Sequence, residues 1–141
     1  MPEYDFLGQH SHSLDSKKRV AIPAKYRSQL EDGKVMVTKG FDGCLVVYPM
    51  DEWAKLRQDR LSSLHMMDGH DARDKMRKLL SGAAGCEIDK QGRIGLTAAH
   101  LTYAQIGKEV YFTGMGNCFE IWAVEQWEKY EEDSRERERA E

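Results

Sequence analysis

Two stretches, LDSKKRVAIP at residues 14–23 and IDKQGRIGLT at residues 88–97, decide how this chain is read. In each, an apolar residue precedes an Asp, an Arg follows four positions after that Asp, and apolar residues then alternate with others, as along a half-buried strand. The two stretches lie 74 residues apart. Sliding the chain against itself by that offset aligns Gly8, Asp15, Arg19, Ala24, Gly33, Lys34, Gly40, Cys44 and Trp53 with Gly82, Asp89, Arg93, Ala98, Gly107, Lys108, Gly114, Cys118 and Trp127 without a gap. Unrelated composition gives about three identities over such a span, so the nine point to duplication. Apolar character is kept as well, at Leu14 and Ile88, Val20 and Ile94, Ile22 and Leu96, Met36 and Val110, Val47 and Ile121, and Tyr48 and Trp122.

The chain therefore reads as two copies of one unit, Phe6 to Trp53 and Leu80 to Trp127. The first repeat takes residues 1–53, a helical connector 54–79, the second repeat 80–127, and a charged C-terminal helix or tail 128–141. Each copy reads as strand, tight turn, strand, short helix, strand, turn, strand and the start of another helix, an α+β, β-rich fold. In copy one, Pro23 ends the apolar strand and suits the first turn of a helix running through Tyr26 to Leu30, with Gly33 as its C-cap. Asp42-Gly43 marks a hairpin, and the strand Cys44 to Tyr48, apolar on both faces, is expected to be deeply buried. Trp53, Leu56, Arg60 or Leu61, and Leu64 recur at helical spacing in the connector. After Asp68-Gly69 interrupts it, Met76, Leu79 and Leu80 continue the apolar face. That stripe predicts core or subunit contact.

Bulk composition narrows the function classes. Charged residues make up 32% of 141 residues, hydrophobic residues 40%, and no apolar run approaches a membrane span. MPEYDFLGQHSHS lacks the basic start and apolar stretch of a secretory signal, so a cytoplasmic protein is expected. Cys44, Cys86 and Cys118 form no C-x-x-C pair, which predicts buried, reduced thiols and no structural zinc. The net charge of −3 is carried entirely by residues 128–141, while Asp15 to Arg27 has a local charge of +4 from Lys17, Lys18, Arg19, Lys25 and Arg27 against one acid. A formally acidic protein thus carries a basic patch.

The duplicated Asp-x-x-x-Arg, Asp15 to Arg19 and Asp89 to Arg93, is the sharpest local feature. Asp accepts hydrogen bonds from turn amides, and an Arg four residues later folds back onto its carboxylate, so Asp15, Asp89 and Arg93 are expected as motif and structural residues. Copy one adds Lys17 and Lys18, cations that a structural brace does not need. A protruding β-hairpin with Ser16, Lys17, Lys18 and Arg19 at its turn is a candidate DNA reader: Arg makes bidentate contacts to guanine or phosphate, Lys a point contact to phosphate, and two-stranded ribbons enter the major groove.

On these residues the chain resembles the MraZ family. LDSKKRVAIPAKYR is similar to the family's first motif block, YPMDEWAKL to its strand-to-helix block, and CEIDKQGRIGL to its second motif; the resemblance covers almost everything from Tyr4 to Trp127. It implies tandem AbrB-like swapped-hairpin units forming a double-psi-type barrel. It further implies a nucleoid-associated transcriptional regulator, a ring-shaped homo-oligomer that binds direct repeats in double-stranded promoter DNA upstream of the division and cell-wall gene cluster containing its own gene. Carried over by position, the DNA-contacting arginine is Arg19, with Lys17 in the same loop. Lys18 stands where the family usually has glycine, and either adopts a strained positive φ or simply adds a phosphate contact.

An enzyme is the first rival. The one metal-like cluster, His10-Ser11-His12 followed by Asp15, puts two histidines on one strand face but is not repeated in copy two, and no serine has a nucleophile context. No cofactor, metal or catalytic residue is expected. An antitoxin-like protein-binding module would expose an apolar groove or a segment that folds on contact, and a purely structural ring would leave Lys17, Lys18 and Arg19 dispensable.

Overall fold

A computed structural model describes residues 3–59 and 69–140. Arg60, Leu61, Leu64 and Asp68, invoked above for the connector, lie outside the described residues. The elements run β1 (Gln9–Ser13), β2 (Arg19–Ala21), α1 (Ala24–Arg27), β3 (Lys34–Lys39), β4 (Leu45–Pro49), α2 (Met50–Asp59), α3 (His70–Ser81), β5 (Ala84–Glu87), β6 (Arg93–Gly95), α4 (Ala98–Ala104), β7 (Glu109–Gly114), β8 (Phe119–Ala123) and α5 (Val124–Ala140). The fold is α+β, and the strand order in both copies is the one that the internal repeat predicts.

How the copies join is visible in the sheet. Six strands pair in the order β1-β7-β8-β4-β3-β5, and β2 pairs with β6 in a separate two-stranded ribbon. Exchanging the copies turns the six-stranded order into its own reverse, so a pseudo-two-fold relates them, passing between β4 and β8 and between β2 and β6. Among the described residues, β1 and β5 are the outer strands of this ladder. Sequence alone suggests that the strands flanking each Asp-x-x-x-Arg turn pair with one another as a hairpin. They do not: β1 pairs with β7 and β2 with β6, each in the other copy. The reason is in β1 itself. QHSHS has no apolar face to share with the short β2, whereas its half-buried histidines lie against aromatic rings, His10 on Tyr26 and His12 on Phe112 at 5.1 and 5.3 Å between centroids.

Both copies contribute to the main core. Phe6, Tyr26 and Phe119 meet at centroid distances of 4.8 to 5.2 Å, with Phe112 5.9 Å from Phe119. Val20 and Ile94 point inward from the ribbon, fully buried. Each such side chain contributes about 1.5–3 kcal/mol of burial, so the ribbon is clamped to the core through one face only. Cys44, Leu45, Val46 and Val47 are buried as the apolar run predicts, and all three cysteines are free and buried.

Two local expectations need correction. α1 ends at Arg27 rather than reaching Leu30, because Gln29 and Leu30 donate to the carbonyls of Tyr26 and Arg27, three residues back, tightening the chain out of the α-helix. Gly33, at φ 66°, closes the turn that follows and not the helix. Leu80, predicted on the apolar face of the connector, is 41% exposed, while Leu79 beside it is buried.

Gly114 shows where backbone approach dictates a residue. Its N–H donates to the Gly8 carbonyl at 2.9 Å, and a Cβ there would run into the Phe6 carbonyl and lie 2.6 Å from Leu7 Cα. These are backbone atoms, which cannot rotate away. Gly114→Ala is therefore expected to destabilise the fold by about 1–3 kcal/mol, read as a lower midpoint in urea; an unchanged midpoint would mean that the N-terminal segment does not hold its place beside β7.

Candidate nucleic-acid interface

The site is built on the β2–β6 ribbon. Its register pairs Arg19 with Gly95, Val20 with Ile94 and Ala21 with Arg93. Because side chains alternate between faces and directly paired residues share one, Val20 and Ile94 face the core while Arg19, Ala21, Arg93 and Gly95 form the outer face. Ala21 and Gly95 are small, so the outer face is a flat strip carrying two arginines set diagonally.

Each arginine is held by its own turn in the same way. Asp15 Oδ1 accepts the backbone N–H groups of Lys17 and Arg19, both at 2.9 Å, and Oδ2 accepts from Arg19 Nε at 2.9 Å. Asp89 repeats this with Gln91, Arg93 and Arg93 Nε at 2.9, 2.9 and 3.1 Å. The Asp15 carboxyl is held below the ordinary carboxylate value, chiefly by the Arg19 amide, with the Arg19 side chain and the Lys17 amide adding to it. Asp89 is shifted the same way by the matching groups. The Asp is thus the keystone of each turn, and the pairing of Asp with Arg is a brace in both copies.

The braces are not equivalent. Arg93 also reaches across the pseudo-two-fold, with Nη1 at 3.4 Å from Asp15 Oδ2, so it engages two carboxylates. Arg19 engages one, through Nε, and its side chain is the more exposed of the two, 34% against 27%. Among the described residues its terminal nitrogens make no ion pair, so the fork of the guanidinium is free for a ligand. Ser16, Lys17 and Lys18 beside it are exposed.

Lys18 has φ 62°, and its counterpart Gly92 has φ 80°. The turn demands the left-handed region, and a side chain in that conformation costs about 1–2 kcal/mol. Lys18→Gly is expected to stabilise the protein by about 0.5–1 kcal/mol, since part of the relief is offset by the greater freedom of glycine in the unfolded chain. Chemical denaturation tests this; a loss of stability would show that the Lys18 side chain is itself a structural contact.

Sequence reasoning misses one residue. Arg27, which counts there only toward the local charge, leaves α1 and crosses to the copy-two turn, where its Nη2 donates to the Lys90 carbonyl at 3.0 Å. The only sequence signal is an asymmetry: the position aligned with Arg27 is Leu101, packed against the core. The histidine pair, by contrast, shares a face as expected, and His12 is pushed below its ordinary pKa by burial first and by His10 second. Among the described residues no group of three or more His, Cys, Asp or Glu is placed to hold a metal ion, and no helix is long and apolar enough to cross a membrane.

This geometry can be set beside known proteins. A family model described as "MraZ protein, putative antitoxin-like" matches residues 6–76 and 79–141. The chain is 44% identical over 131 residues to the "Transcriptional regulator MraZ" of Halothermothrix orenii, covering 93% of this chain and 90% of that relative. It is 45% identical over 129 residues to the protein of the same name from Natranaerobius thermophilus, covering 92% and 88%. With that of Caldanaerobacter subterraneus subsp. tengcongensis it shares 47% identity over 125 residues, covering 88% and 85%.

Proposed function

The chain belongs to the MraZ family, and from that membership we propose that it is a DNA-binding transcriptional regulator whose reading element is the outer face of the β2–β6 ribbon. The observation that carries this reading is the free fork of Arg19, held in place by Asp15 and flanked by the exposed Ser16, Lys17 and Lys18. A two-stranded ribbon fits the major groove, where Arg reads guanine bidentately and Lys anchors on phosphate. Arg93, tied to two carboxylates, braces the ribbon.

The target in this reading is a set of direct repeats upstream of the division and cell-wall gene cluster that includes the protein's own gene, and the protein works in the cytoplasm on the nucleoid, without metal or cofactor. It acts as a ring-shaped homo-oligomer. Support for assembly comes from two hairpin tips related by the repeat, β3–β4 and β7–β8, which expose Phe41 and Met115 at 56% and 53%. Apolar tips facing two ways suit a head-to-tail contact that closes into a ring, and a ring presents several ribbons to successive repeats, so that individually weak contacts gain avidity.

The test is binding to DNA from upstream of the protein's own gene against scrambled DNA of equal length, at several salt concentrations. Selective binding whose logarithm falls linearly with log salt is expected, each phosphate contact adding about −0.9 to the slope. Equal, weak binding to both DNAs would overturn the reading.

A further inference from the structure

We propose that the copy-two turn, Asp89 to Gly92, is a second phosphate anchor armed by Arg27 and Lys90, so that one protomer grips both backbones of a single major groove. This rests on the reading of the ribbon as a DNA-binding element and assigns the partner of its other end.

Arg27 is seated at this turn by the shape of the chain. Gly92 lacks the Cβ that would come within 2.8 Å of Arg27 Cδ and Nη1, and the Lys90 carbonyl accepts from Nη2. The guanidinium therefore lies along the turn, on the copy-two side of the pseudo-two-fold, although it belongs to copy one. Arg27 and Lys90 are both exposed, and among the described residues neither takes part in an ion pair. The copy-one turn offers two cations in the same condition, Lys17 and Lys18. Position by position the repeat does not preserve this: Ser16, Lys17 and Lys18 align with Lys90, Gln91 and Gly92. The count of free cations at each turn is nonetheless restored to two, by a residue drawn from a different helix.

The spacing suits a duplex. The Lys18 carbonyl accepts from Leu96 N–H at 3.1 Å, and the Gly92 carbonyl from Ile22 N–H at 2.8 Å, so the turns enter the ribbon at opposite ends. From Lys18 to Ile22 is four steps of strand, about 13 Å at about 3.3 Å each, close to the roughly 12 Å width of the major groove. With Arg19 and Arg93 over the groove floor, each pair of cations falls at one phosphate wall. The pseudo-two-fold of the ribbon also matches the local two-fold of a duplex, whose strands run antiparallel, so two similar turns meet two similar backbones.

The experiment uses the full chain and DNA carrying neutral methylphosphonate linkages at single positions on either strand. For the wild-type protein, substitutions on both strands across one groove are expected to weaken binding. In R27Q/K90Q one strand should lose its sensitivity and the other keep it. Affinity for upstream and scrambled DNA should fall by a similar factor, and the salt slope should drop by about 2 per engaged protomer. K90Q alone, which leaves the Arg27 contact to the turn intact, should give about half that drop in slope and guards against a folding defect in the double variant. If R27Q/K90Q and K90Q keep the wild-type slope and two-strand pattern while K17Q/K18Q loses binding, the copy-two turn is only structural and this proposal falls while the ribbon reading stands. If the wild-type protein binds neither DNA selectively, both fall together.

Discussion

Arg19→Ala is expected to remove selective binding while leaving the fold in place. A bidentate Arg contact discriminates by about 1–3 kcal/mol, or roughly 5- to 150-fold for one ribbon, and the loss multiplies when an oligomer engages several repeats at once. The turn survives because most of its bonds do not use the Arg19 side chain. Asp15 Oδ1 still receives the amides of residues 17 and 19, and Oδ2 keeps Arg93 Nη1. What is lost in stability is one partly exposed ion pair, which solvent screens. Arg19→Lys separates charge from geometry: it keeps a cation and loses the fork, so non-selective binding should persist while selectivity falls. The measurement is a pair of titrations, upstream and scrambled DNA, with urea unfolding as the check on the fold. Unchanged selectivity in Arg19→Ala would move the reading contact elsewhere.

Arg93→Ala should lower the urea midpoint more than Arg19→Ala does and cost less selectivity in the same titrations, because the two arginines look alike in sequence and differ in the folded chain, Arg93 engaging two carboxylates and Arg19 one. Both follow an Asp by four residues, and both donate Nε to it. Only the register of β2 against β6 brings Arg93 Nη1 to Asp15. No local pattern encodes that contact, since it joins residues 78 apart through a pairing between copies.

The same distinction separates what could be read from the chain from what could not. Periodicity and the 74-residue offset specify the elements, the buried β4 and the two turns, because strand alternation, Asp-Gly turns and aligned apolar positions are local or repeated properties. Strand pairing is neither. QHSHS reads as one arm of a hairpin until β7 of the other copy pairs with it and brings Phe112 against His12, and Arg27 reads as a helix residue until Gly92 is seen to leave room for it. The end of α1 escapes the sequence for a different reason: the run from Tyr26 to Leu30 reads as helix throughout, whereas its last amides bond three residues back and lead into the turn closed by Gly33. The demand for positive φ at residue 18 could be posed from the sequence as an alternative, but only the folded turn chooses between its branches.

Pairing between copies also makes the two repeats inseparable, and cutting the chain between them is expected to have the largest effect on stability. Of the six strand pairings among the described residues, β1–β7, β3–β5, β4–β8 and β2–β6 join one copy to the other, while the β3–β4 and β7–β8 hairpins lie within a copy. A fragment of residues 1–79 keeps one hairpin, and so does 80–141. A two-stranded hairpin alone is marginal in water, and each fragment would expose half of a shared core, leaving Tyr26 without Phe119 and Val20 without Ile94. Neither fragment should therefore fold as a monomer. Mixed in equal amounts, the two should recover the strand content of the intact chain, because every missing partner is then present. Circular dichroism with sedimentation reads both outcomes. A monomeric fragment 1–79 that unfolds cooperatively would mean that copy one closes on itself. The β2–β6 ribbon would then be an accidental contact rather than the joint that places Arg19, Arg93 and their turns on one surface.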